Sequence, residues 1–140
     1  MKKFELTSEF VTFLEKKLFR IKALVSFGDV KEGGLGGLVE KEENLDQSGN
    51  AWVYGNARVS GDAWVQNCRD YSATSCFGSE NRTTTFFRTK DGGISVRCGC
   101  FYGTLNEFRE KVKERHGDSR LAKEYLMLAD LMEFRLSKDE

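Results

Sequence analysis

The sequence predicts an α+β protein: a β part with one left-handed β-helical coil and a β-hairpin, followed by a C-terminal helical hairpin. Three observations carry this expectation. Residues 49–66 say one phrase three times, Gly-[Asn/Asp]-Ala-x-Val-x, without interruption. Two runs rich in β-formers, Thr83–Arg88 and Ile94–Cys98, flank the turn Lys90-Asp91-Gly92-Gly93. After Thr104 the apolar spacing changes from two to three and four, which is the change from strand to helix.

The repeat is the strongest signal, because short phrases of fixed length mark stacked strand-and-corner architectures. Residues two apart in a strand share a face, so Ala51 with Val53, Ala57 with Val59 and Ala63 with Val65 are expected to point inward. Gly55 and Gly61, each followed by Asn or Asp, would form the corners, since these residues tolerate positive φ. Trp52, Arg58 and Trp64 would then point outward. One coil leaves strand edges above and below, so the flanking sequence must cover it.

Residues 1–48 are expected to form an N-terminal β cap. Phe4 to Leu14 is an apolar opening of undetermined type, Leu18–Val25 alternates as a strand, and Gly28-Asp29 and Gly33–Gly37 read as turns. The Gly-rich run is not followed by Lys-Ser/Thr, which argues against a phosphate loop. Residues 67–103 form a Cys-bearing loop and the hairpin. Residues 104–140 open on a capping box, Thr104-Leu105-Asn106-Glu107. Phe108 and Val112 mark one helix ending at His116-Gly117, and Leu121, Ala122, Tyr125, Leu126, Ala129 and Met132 mark a second. The whole is read as one domain.

Composition narrows the function classes. Lys+Arg and Asp+Glu are equal at 22 each, with no basic stripe, so direct nucleic-acid binding by phosphate neutralisation is not expected. No apolar run is long enough for a membrane span and no apolar signal region opens the sequence. The expected setting is cytoplasmic, where four Cys act as thiols or metal ligands more often than as disulfides.

Cys68, Cys76, Cys98 and Cys100 could hold a structural zinc, with His116 as a substitute ligand. Cys98 and Cys100 lie two apart at a strand end, so both thiols can face one side. The same cysteines also read as small buried apolar residues or as a redox pair. As a ligand His116 must reach back along a helix about 18 Å long; as a cap it favours the helix dipole before Gly117. Candidate protein-contact residues are Trp52, Arg58 and Trp64 on the repeat and Arg109, Lys113 and Arg120 on the helices, since exposed Trp and Arg serve as interface anchors.

Together, Lys17–Leu24, Leu35-Gly36-Gly37, Glu40–Leu45, Gly49–Ala57, Cys98–Leu105, His116-Gly117-Asp118 and Ala122–Leu126 resemble hexapeptide-repeat proteins carried by bacteriophages and prophages. The resemblance implies a phage-type inhibitory binding protein. It further suggests an anti-CRISPR inhibitor with a structural zinc, blocking an RNA-guided DNA nuclease of the bacterial host by stoichiometric protein contact. A Cys-dependent enzyme using Cys98 or Cys100, or a structural module of a phage particle, are the alternatives.

Overall fold

The computed structural model describes residues 2–13, 16–67, 69–77, 82–98 and 101–137, with backbone only at 13, 75–77 and 82. Within them the chain forms two four-stranded sheets and two helices. The first sheet has the order β1 (Phe4–Phe13), β2 (Lys16–Ala23), β3 (Leu35–Val39), β4 (Arg58–Val59). Its first three strands are antiparallel, while β3 and β4 run parallel through Leu38↔Arg58 and Val39↔Val59. The second sheet is antiparallel throughout, in the order β5 (Tyr71–Phe77), β6 (Arg82–Arg88), β7 (Ile94–Cys98), β8 (Phe101–Thr104). Helices α1 (Leu105–His116) and α2 (Arg120–Leu136) close the chain.

The expected left-handed coil is corrected by this architecture. The three Gly corners are present, with φ of 70° at Gly49, 58° at Gly55 and 63° at Gly61, and all six Ala and Val side chains are buried. The phrases do not stack on one another, however. Only Arg58–Val59 is a strand, Val65 makes an isolated parallel bridge to Leu45, and Ala63 pairs antiparallel with Thr89. The first two phrases find their backbone partners along β3, and the third finds its partners at the segment around Leu45 and at the end of β6. Gly37 N–H donates to Val53 O, Glu40 N–H to Val59 O, Asp46 N–H to Val65 O, and Trp64 N–H to Arg88 O. Three phrases have no further rungs to pair with, and buried peptide groups must be satisfied by whatever chain lies alongside.

The Gly-rich run also resolves differently from a string of turns. Gly36 and Gly37 lie inside β3 and are buried. A Cβ on Gly36 would stand 2.6 Å from Val53 O and 2.7 Å from the Trp52 ring, and one on Gly37 would stand 2.6 Å from Val53 Cγ1. The glycines are needed for close approach of two backbones.

Two cores result. One contains Phe4, Ile21, Val39, Trp52, Val53, Val59, Val65 and Phe87. The other contains Phe86, Val96, Leu105, Phe108, Val112, Tyr125, Ala129 and Met132. Strand β6 separates them: its alternation sends Phe86 to the helices and Phe87 to the repeat side, so both faces of the second sheet are covered. Local signals set the helix ends. Thr104 Oγ1 accepts from Glu107 N–H at 3.1 Å and Glu107 Oε1 accepts from Thr104 N–H at 2.8 Å. Gly117 (φ 57°) closes α1, and Ser119 Oγ accepts from Ala122 N–H at the start of α2.

Candidate interaction surface

Helix α2 carries apolar residues on two faces. Ala122, Tyr125, Leu128, Ala129, Met132 and Leu136 are buried against α1 and the second sheet. On the opposite side Met127, Leu131 and Phe134 are exposed at 72%, 55% and 82%. Their spacing of four and then three residues aligns them in one stripe along the helix. Isolated exposed apolar residues are ordinary, whereas a contiguous stripe of three large ones is a candidate interaction surface. Sequence reasoning missed these three. The available signal was that α2 holds more large apolar residues than a single buried stripe requires.

The residues proposed as anchors are placed differently from one another. Trp52 does not face outward: it is 2% exposed, with Phe4 and Phe27 packed edge-on against it at ring-centroid distances of 6.3 and 5.3 Å. Arg58 is half-buried at the junction of the sheets, its N–H donating to Thr85 Oγ1 at 3.0 Å. Trp64 is partly exposed beside an open groove that also includes Leu6, Glu40, Glu43 and Asp46. Arg109 ties the helices together through Nη2 to Asp130 Oδ1 (2.8 Å) and Glu133 Oε1 (2.7 Å). The hydrogen bond to Glu133 is the largest cause that pushes its guanidinium further above the usual value, opposed by burial. Lys113 and Arg120 are exposed on the helices. The structure therefore does not bring these six residues to one face.

Arg58 belongs instead to a charged cluster inside the junction. Arg97 is 2% exposed, and burial followed by the Arg58 charge pulls its guanidinium down to about 10, with Tyr102 and Glu40 opposing. Burial, then Asp62 and Glu40, pushes the Tyr102 phenol up. Glu40 Oε1 accepts from Gly61 N–H at 2.8 Å, which fixes the third repeat corner against the first sheet.

Of the candidate metal ligands, Cys68 and Cys100 and the side chain of Cys76 lie outside the described residues. Cys98 Sγ accepts a hydrogen bond from Thr84 Oγ1 at 3.2 Å and packs beside the helical core. The register Thr74↔Thr84↔Cys98 puts the end of β5 that carries position 76 at the same end of the sheet as Cys98. His116 stacks on Tyr125, with ring centroids 5.8 Å apart, in the last turn of α1. Among the described residues no three His, Cys, Asp or Glu side chains converge as a metal site.

No helix among the described residues is long and apolar enough to cross a membrane. No protein-family model and no curated protein matches the sequence.

Proposed function

We propose that this protein works by occupancy, as an inhibitory binding protein that docks on a host protein through the exposed stripe of α2. The observation that supports the reading is the alignment of Met127, Leu131 and Phe134 on a helix already anchored by its other face. Such a helix is a rigid platform: little further ordering is needed when a partner covers it. An apolar i, i+4, i+7 set fits a hydrophobic groove on the partner. The phage-inhibitor resemblance names the partner class, an RNA-guided DNA nuclease. A structural zinc held by Cys68, Cys76, Cys98 and Cys100, with His116 as substitute ligand, is part of this proposal.

The experiment is a titration against a candidate nuclease. Inhibition should saturate near one protein per target and leave the target's mass unchanged. The triple variant Met127→Ser, Leu131→Ser, Phe134→Ser should lose at least ~2 kcal/mol of affinity, about thirtyfold, while keeping its melting temperature. Turnover on the target, or undiminished inhibition by the triple variant, defeats the reading. Sedimentation without target covers the remaining occupant: dimerisation lost in the triple variant would assign the stripe to a second copy.

A further inference from the structure

The stripe of α2 is complementary to itself. Met127, Leu131 and Phe134 are exposed along it, and Glu124 and Arg135 border it eleven residues apart. Eleven residues make about three full turns, so both charges lie on the same side of the stripe. Neither forms an ion pair with a described residue. Arg120 and Lys123 stand in the first turn of α2, which holds no acidic residue, and a helix dipole favours the reverse. On the other side of the stripe Asp130 is held by Arg109 at 2.8 Å.

We infer that this stripe pairs with the stripe of a second copy of the chain, in an antiparallel α2–α2 contact that covers the docking face until a target displaces it. The inference rests on the docking reading and adds its regulation. With the two-fold axis between Asp130 and Leu131, Met127 comes level with Phe134 of the second copy, and the two Leu131 side chains meet at the centre. A two-fold contact sets each patch against itself, so Arg135 lies on the same flank as Glu124 of the second copy, about 3 Å away along the helix axis. That ion pair is made twice. Arg120 and Lys123 fall beside the last turn of the opposing helix, at the negative end of its dipole. Asp130 approaches its own copy there, with each carboxylate already neutralised by an Arg109. Three large side chains per copy bury less than the ~1,200 Å² of a stable complex, so the contact is weak and reversible, as a displaceable cover must be.

Sedimentation equilibrium of the full chain, from about 10 µM to about 1 mM, tests the contact without any target. A monomer–dimer equilibrium with a dissociation constant of about 0.1 mM is expected. Leu131→Asp, at an exposed position, should abolish it with the melting temperature unchanged. Glu124→Arg and Arg135→Glu should each weaken it at least about fivefold, and the double swap, which restores both ion pairs, should return it to within about twofold of wild type. A monomer at every concentration, a dimer indifferent to Leu131→Asp, or a double swap no tighter than the single variants overturns the inference. The docking reading fails separately: a protein that stays monomeric at about 1 mM, yet loses inhibition in the triple Ser variant, keeps that reading and overturns only the second copy.

Discussion

Replacing Gly36 with Ala tests the packing that joins the repeat to the first sheet. The added Cβ would stand 2.6 Å from Val53 O and 2.7 Å from Cε2 and Cζ2 of Trp52. Contacts under 3.0 Å are not tolerated, and neither neighbour can yield cheaply. Trp52 is wedged between Phe4 and Phe27, and the Val53 carbonyl accepts the Gly37 N–H at 2.7 Å. Overpacking a full core costs roughly 1–3 kcal/mol. Shifting Val53 also weakens a buried backbone hydrogen bond, worth about 1 kcal/mol. Gly36→Ala should therefore destabilise by about 3 kcal/mol. The control is Gly55→Ala, where φ is 58° and no atom lies within 4 Å of the new Cβ. That variant should lose only the left-handed backbone preference, about 1 kcal/mol. Urea unfolding followed by tryptophan fluorescence measures both. A Gly36→Ala loss no larger than that of Gly55→Ala would refute the close-approach argument.

Further outcomes follow from the helices, the junction and the cysteines. Arg109→Ala removes two ion pairs to largely exposed carboxylates, so the expected loss in urea unfolding is about 1 kcal/mol after solvent screening; a loss above roughly 3 kcal/mol would mean that the pair is energetically buried. The Tyr102 phenol is raised in the fold, so its contribution is fully present below the ordinary phenol value and is lost as pH rises through the raised value. Arg97, lowered to about 10, contributes with the opposite sign, gaining stability as the fold sheds that proton first. Tyr102→Phe should thus lose less stability than wild type between about pH 9 and about pH 11; identical profiles in urea midpoints would contradict the assignment. Elemental analysis should find about one zinc per chain, with chelation lowering the melting temperature and Cys98→Ser losing the metal. Metal-free protein of unchanged stability ends that proposal.

Much of the local structure is readable in the residues themselves. The alternation of Ala and Val buries Ala51, Val53, Ala57, Val59, Ala63 and Val65, and glycine begins each phrase because the backbone there takes positive φ. Thr104 with Glu107, and Ser119 at the next helix, set helix starts through side-chain-to-backbone hydrogen bonds spanning three residues. Each of these is an interaction between near neighbours in the chain, so a short window contains both partners. The metal question stands apart, since three of the four cysteine side chains fall outside the described residues.

What the phrases pair with depends on distant chain. Trp52 and Trp64 hold the same place in their phrases, yet Phe4 and Phe27 bury the first while the second borders an open groove. Arg58, in that place in the middle phrase, is half-buried, its backbone N–H on Thr85 Oγ1 and its charge near enough to Arg97 to lower that guanidinium. A repeat of identical phrases specifies which side chains turn inward but not which strand lies alongside, and with only three phrases the neighbours come from β3, β6 and the segment around Leu45. The same limit applies to α2. Its sequence shows an excess of large apolar residues, but only packing against α1 and the second sheet decides that Met132 is buried and Met127, Leu131 and Phe134 are presented. Periodicity determines the faces of an element; the free energy of covering one face rather than another is set by tertiary neighbours far away in sequence.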